Sequence, residues 1–461
     1  MHHKRFILSL LILLTSGGIY AQTLTLREAV AKGVANYETL KAKDAYARSS
    51  AASASAALRD MFPNLVLSAQ QDYGTVNGQN GPLYGFGGFA ASSSGLPLQQ
   101  QNWNAAFGAL YLANFNWEVF AFGKARNRME SARAVANRDR LDWQQELFRH
   151  EIKVAGTYLN LLAAQKLVYS YEKNLLRADT FRRVVRAKAL NGLVAGVDSS
   201  QANAEVSNAR IALTKARDQE QEQANQLALL TGLPESEFLL DSSFLQKIPT
   251  GVLQTETVVS THPVLQWYDS RVYQSKKQTD YLRSFYYPSL SFVSIYQTRA
   301  SGFGNGYASN QNDYTHDYWT GISPTRSNYL VGLGLNWNLT QPYRSAQQVK
   351  AQRLITQGLQ DEYDLAQRQL QLQSELAGNK MRFALDNYNE VNIQVKAASD
   401  AYQQKSVLYK NGLTNLVDLT QSMYTLIRAE TERDIAYCNV WQALLLKAAA
   451  SGDYNLFESQ L

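Results

Sequence analysis

Ala187 to Gln201 reads A-K-A-L-N-G-L-V-A-G-V-D-S-S-Q, and Val407 to Gln421 reads V-L-Y-K-N-G-L-T-N-L-V-D-L-T-Q. A shift of about 220 residues superimposes Asn191-Gly192-Leu193 on Asn411-Gly412-Leu413, Val197-Asp198 on Val417-Asp418, and Gln201 on Gln421, without a gap. A long helical pattern runs up to each Asn-Gly, and another begins a few residues later. Glycine ends helices in the left-handed conformation, and a small polar residue then restarts them. In the second copy Thr414 or Asn415 can cap the new helix, with Asp418 in its first turn near the positive end of the dipole. Each copy is predicted to be a sharp helix-turn-helix tip, and the pair points to a duplicated helical hairpin.

Outward from the tips the pattern is helical for a long way. Lys124 to about Leu190 and Arg344 to about Lys410 contain no proline, and only Gly156, Gly358 and Gly378 weaken them. At ~1.5 Å per residue each would be on the order of 100 Å long, beyond an ordinary globular helix, so it needs continuous neighbours. Apolar residues at three- and four-residue spacing supply that packing (Tyr158, Leu161, Leu162, Tyr169; Leu365, Leu372, Leu376, Met381, Leu385). From the tips, return helices are predicted over Asp198 to Leu230 and Asp418 to Ala449. The first stops at Gly232-Leu233-Pro234, and residues 233–256 read as an irregular connector.

Each half also has a strand region. An alanine-rich helix from Leu24 to about Asp60, entered through Thr25, is stopped by Pro63, and a second from Thr257 to about Phe285 ends at Pro288. Beyond Pro63, Leu65, Leu67, Ala69 and Tyr73 share one face; beyond Pro288, Leu290 and Phe292 begin another. A cleaner alternation follows. Phe107, Ala109, Tyr111, Ala113, Phe115, Trp117 and Val119 lie opposite Asn114, Asn116 and Glu118, and Tyr329, Val331, Leu333, Leu335, Trp337 and Leu339 lie opposite Gly332, Gly334, Asn336 and Asn338. Strict period two over such lengths means strand, and an apolar face backed by a small polar one fits a sheet between lipid and water. A soluble sandwich alternates too. The spanning length of these faces, with Phe107 and Trp117, Tyr329 and Trp337 near their ends like an aromatic girdle, favours the membrane. The loops 74–104 and 299–328, rich in Gly, Ser and Asn, are long for a compact domain and suit the outer side of a membrane barrel.

The remaining sequence bounds the function. Lys4-Arg5, the apolar run Phe6 to Leu14 and Ile19-Tyr20-Ala21 read as a signal peptide over residues 1–21, with cleavage expected after Ala21. No cysteine near that point offers a lipid anchor. Without Lys4 and Arg5 the chain carries 43 basic against 39 acidic residues, a net of +4, too mild to suggest nucleic acid. No later uncharged apolar run reaches the ~20 residues of a membrane helix, so membrane contact must come from strands. The single cysteine, Cys438, reads as a small buried apolar residue. His150, His262 and His316 are scattered, no metal-binding spacing or nucleotide loop occurs, and the glycines at 302, 304 and 306 lack a following helix. Neither an enzyme, a cofactor nor a metal is expected.

Helix, strand, loop, strand, long helix, x-Gly turn and a helix opening with Val-Asp, duplicated behind a signal peptide, resembles the TolC-type outer-membrane efflux protein family. The likeness covers nearly all of the mature chain. Its most specific parts are the two tips, the strand starts at Pro63 and Pro288, and the strand exits Phe115-Asn116-Trp117 to Phe122-Gly123-Lys124 and Leu335-Asn336-Trp337 to Gln341-Pro342-Tyr343-Arg344. The resemblance implies an α+β membrane protein forming a homotrimer, with a twelve-stranded outer-membrane β-barrel continued by a periplasmic α-helical barrel closed at the tips. Four strands cannot close a barrel alone in any case.

On this plan the chain divides into a signal peptide (1–21), a first periplasmic helix (22–62), a barrel hairpin (63–123), a long helix with tip and return (124–232), the connector (233–256), a second helix (257–287), a second hairpin (288–343) and a second long helix with tip and return (344–461). The resemblance also implies an exit duct of a tripartite efflux or type I secretion system. Its partners would be outer-membrane lipid, a periplasmic adaptor and an inner-membrane RND or ABC pump. Asp418 matches the first aperture carboxylate of the family; the next position is Gln421, which weakens any charge ring, and Asp198 and Gln201 are their counterparts in the first copy. A preference for helix N-termini also accounts for both aspartates, at ~0.3–1 kcal/mol each. Asn191-Gly192-Leu193 and Asn411-Gly412-Leu413 are the implied adaptor contacts. The competing expectation is a non-conducting structural coiled-coil protein of the envelope or surface.

Overall fold

The computed structural model describes residues 23–78, 97–234, 238–249 and 261–461. The signal peptide, the glycine- and serine-rich centre of the first long loop (Gly85 to Gly88, Ser92 to Ser94), the start of the second opening helix at Thr257 and part of the connector lie outside the described residues. The chain separates into a helical unit (1–49, 137–272 and 358–461) and a sheet unit (50–136 and 273–357).

The helical unit opens with α1 (Leu26–Asn36), entered through a capping box in which the Thr25 hydroxyl accepts from the Glu28 amide and the Glu28 carboxylate accepts from the Thr25 amide. The opening helix was expected to be continuous. Instead Tyr37 is extended, and α2 (Glu38–Arg59) starts afresh. The break is paid for by packing: the Tyr37 ring stacks on buried His150 at 4.0 Å. The long helix α3 (Lys124–Leu190) keeps its predicted bounds, whereas α4 (Gly196–Thr231) begins two residues before Asp198 and ends at a left-handed Gly232. After the connector come α5 (Pro263–Arg283) and, beyond the sheet strands, α7 (Gln341–Lys410), α8 (Leu416–Ser451) and the short α9 (Asn455–Glu458). Helix α7 starts three residues earlier than expected because Pro342 sits in its first turn, where a missing N–H costs nothing.

The core of this unit is built where α3, α4 and α8 meet. Val154, Tyr158, Leu161 and Leu162 pack with Leu227, Trp441 and Leu444. The buried Tyr158 hydroxyl donates to the carbonyls of Leu24 (2.7 Å) and Asp241 (3.0 Å), tying the N-terminal segment to the connector, and burial raises its phenol. Cys438 is 1% exposed and its thiol is pushed up to about 12 by burial, in keeping with an inert core residue.

The sheet unit holds one antiparallel sheet in the order β1 (Asn64–Thr75), β2 (Ala105–Phe120), β3 (Ser289–Ser301), β4 (Arg326–Asn336). The register sets Leu67 opposite Ala113, Ala113 opposite Tyr296 and Tyr296 opposite Tyr329; the next row is Leu65, Phe115, Ser294 and Val331. The apolar sets of all four strands therefore fall on a single face. Two strand details differ from the sequence reading. A bulge after Glu118 makes Val119 the extra residue and sets Phe120 opposite Leu290. The last strand stops at Asn336, because Trp337 turns its indole N–H to the Tyr286 carbonyl (3.3 Å), so Trp337 and Leu339 follow the strand rather than belong to it. Trp117 does the same toward Met61 (3.1 Å). Each indole thus fastens a strand exit to the segment just before Pro63 or Pro288.

Candidate aperture, docking tips and membrane face

At both tips the glycine is left-handed, φ +70° at Gly192 and +74° at Gly412. Leu193 N–H donates to the Lys188 carbonyl and Leu413 N–H to the Leu408 carbonyl, both at 2.9 Å, while the glycine amides reach Ala189 and Tyr409. This is a Schellman closure, which satisfies the last helical carbonyls and leaves the following leucine outside. Leu193 and Leu413 are 70% and 72% exposed, with Asn191, Asn411, Val197 and Val417 also exposed beside them.

The tips differ in how the return helix begins. In the second, the Asn415 side chain accepts from the Asp418 amide (2.8 Å), so Asn415, one of two predicted candidates, is the cap. Thr414 instead donates its hydroxyl to the Asp418 carboxylate (3.0 Å), which also accepts from Lys405 Nζ (2.8 Å). Lys405 and Thr414 hold the Asp418 carboxyl below its ordinary value. In the first tip Ala195 occupies the cap position and makes no side-chain bond. The equivalent of Lys405 there is Val185, buried with Phe181, Ala202, Tyr409, Leu416 and Leu419. Asp198 thus has no basic counterpart at that position; its charge lies near Tyr409, whose phenol is raised by burial first and by Asp198 second. Gln421 is exposed, and Gln201 half-buried.

Sequence reading missed the bonds that join the two hairpins. Lys188 Nζ donates to the carbonyls of Tyr409 (2.8 Å) and Lys410 (3.2 Å), closing the C-terminus of α7 with a cation from α3. Further along, Arg177 donates from its two terminal guanidinium nitrogens to the Glu430 carboxylate, and the Tyr424 hydroxyl donates to Glu205. Ser170 donates to Asp434 at 2.7 Å. The Lys405–Asp418 pair had a usable signal: the two residues are equidistant from the Asn411-Gly412 turn, and equidistant positions face each other in a hairpin. The interhairpin pairs had none, since nothing local fixes their register.

The residues expected at a membrane girdle divide. Tyr329 is 83% exposed, and Trp117 and Trp337 are exposed at the strand exits. Phe107 is only half-exposed, because the short helix α6 (Tyr318–Ile322) lies over it. Of the scattered histidines, His150 and His262 are buried and His316 is exposed. His262 sits at the start of α5, accepting the Val264 amide on Nδ1 (3.1 Å) and meeting the Ala449 carbonyl at Nε2 (3.0 Å). Among the described residues no helix is long and apolar enough to cross a membrane, and no group of three or more His, Cys, Asp or Glu could hold a metal ion.

Residues 29–233 match the model of the outer membrane efflux protein family. No curated protein matches the chain. Among solved structures, the fold is similar to that of the outer membrane protein VceC from Vibrio cholerae, at 15% identity and TM-score 0.72 over 93% of this chain and 96% of that one. It is similar too to the Campylobacter jejuni CmeC outer membrane channel (15%, 0.73, over 93% and 85%). The open state of the Neisseria gonorrhoeae MtrE outer membrane channel gives 16% and 0.69 over 93% and 89%. The resemblance to TolC-type outer-membrane efflux proteins is borne out by the family match over residues 29–233 and by the fold over 93% of the chain.

Proposed function

We propose that this chain is an outer-membrane efflux protein and one third of a passive exit duct, a homotrimer in which four strands from each copy close a twelve-stranded barrel and the helices continue it through the periplasm. Its place is the outer membrane and its role is transport. The observation that carries the reading is the sheet itself. It is open, both edge strands are exposed along their whole length, and one face is apolar across all four strands. Unpaired backbone cannot stand in hydrocarbon, so the edges require strands from sister copies.

The tips act as the gate and the docking surface. Lys405–Asp418, Arg177–Glu430 and Tyr424–Glu205 hold each hairpin and join the two, a packing that an adaptor can bias by binding the exposed Leu193 and Leu413. Energy and cargo selection come from an inner-membrane RND or ABC pump, since the duct only conducts. In the trimer, Asp418 lines the aperture with Gln421, and Asp198 with Gln201 sits behind them. Conductance in planar bilayers tests the duct: pores are expected, with Asp418→Asn opening more readily and passing cations less selectively. A well-folded trimer that never conducts, even with the tips loosened by Arg177→Ala, would turn the reading to a structural envelope protein. Capture of a periplasmic adaptor by cysteines placed at Leu193 and Leu413 tests the docking role.

A further inference from the structure

The second long loop does not stand free of the sheet. Gly302 N–H donates to the Phe107 carbonyl (2.8 Å) and Thr315 N–H to the Gly302 carbonyl (2.8 Å), which folds the segment back along the strands. Asp317 then caps α6, its carboxylate accepting from the Thr320 amide and hydroxyl, both at 2.7 Å. Helix α6 lies on the apolar face. Ile322 is buried with Ala109 and Ala300, the Tyr318 ring meets Phe107 edge-on at 5.1 Å, and the Tyr111 hydroxyl donates to the Ile322 carbonyl. Tyr318 also donates to Gln71 (2.9 Å), the polar residue that interrupts the apolar set of β1. The fit is tight at Gly321, where an added Cβ would come within 2.4 Å of the Phe107 Cβ.

This helix covers the face at the Phe107 to Tyr111 end and leaves Trp319 70% exposed beside it. One row nearer the strand exits, Tyr296 and Tyr329 face each other and are both exposed. Tyr318 and Trp319 on α6, Tyr296 on β3 and Tyr329 on β4 are thus four aromatic residues on three segments. From Tyr329 to Trp337 the chain advances at most roughly 26 Å at ~3.3 Å per residue, against a barrel apolar band of about 25 Å.

We propose that α6 is a lipid-facing strap: it marks the outer limit of the apolar band and sets Trp319 and Tyr318 among the lipid headgroups, where aromatic rings with a polar edge are stable. The inference rests on the lipid-facing reading of the sheet. It moves the outer girdle from Phe107 to Tyr296, Tyr329, Tyr318 and Trp319. Continuity with the apolar face selects lipid as the occupant.

Depth-dependent quenching tests it. The single native thiol is buried, so W319C and L333C can each be labelled with a small fluorophore in the full chain and reconstituted into phosphatidylcholine vesicles brominated either near the glycerol or near the chain ends. The label at 319 is expected to be quenched several-fold more by shallow bromines, and that at 333 more by deep ones. If 333 is quenched and 319 is not, the strap faces water or a sister copy, and the proposal falls while the sheet reading stands. If neither is quenched, both fall. G321V, which drives a side chain into Phe107, should abolish quenching at 319 and preserve it at 333; unchanged quenching at 319 would contradict the strap.

Discussion

At the scale of single residues, the backbone angles of Gly192 and Gly412 carry the tips. A side chain there strains a left-handed position by about 1 kcal/mol, with open space around it, so Gly412→Ala should speed amide exchange at Val407 to Leu416 and leave the sheet strands unchanged. Titration adds a second outcome. Burial first, and Glu458 second, push the Glu151 carboxyl up to about 7 from 4.5, so its neutral form stabilises the fold fully below pH 4.5, and that contribution is lost as pH rises to about 7. Glu151 is partly exposed, so with solvent screening Glu151→Gln should gain only about 1 kcal/mol at pH 8 and nothing at pH 4, read as a shift in thermal midpoint. His262 runs the other way. Burial lowers its pKa from 6.5, so its contribution is present above pH 6.5 and is lost as pH falls through the lowered value, when protonation breaks the Val264 bond. The two tip turns were legible because Asn-Gly-Leu and Val-Asp recur in two copies. What holds Asp418 was not read, although Lys405 stands at the same distance from the Asn411-Gly412 turn on the other helix: that signal is a mirror pairing across a turn, not a period along one element.

Among the elements, period two and period 3.6 did most of the work, and the departures sit where tertiary contacts override them. The opening helix breaks at Tyr37 to stack on His150, the bulge displaces Val119, and Trp337 leaves the strand to reach Tyr286. The internal order of the second loop was hidden for a similar reason: α6 is five residues long and gains its stability from Phe107 and Tyr111 on another strand. Between helices, the Arg177–Glu430 pair is about four-fifths buried on each side. Arg177→Ala should cost roughly 2–3 kcal/mol by stranding the carboxylate, whereas the double change to leucines should recover most of it, a difference that a double-mutant cycle on thermal stability resolves.

For the whole molecule, the account turns on a sheet that is incomplete in one chain. At its two edges the sheet exposes Leu65 and Leu67 on β1 and Tyr329, Val331, Leu333 and Leu335 on β4, large apolar side chains of one face that call for a partner surface. Native mass spectrometry of the protein extracted from membranes in detergent tests this most directly. The account predicts a trimer that keeps its mass until the sheet unfolds; a folded monomer that stays soluble after the detergent is removed would contradict it.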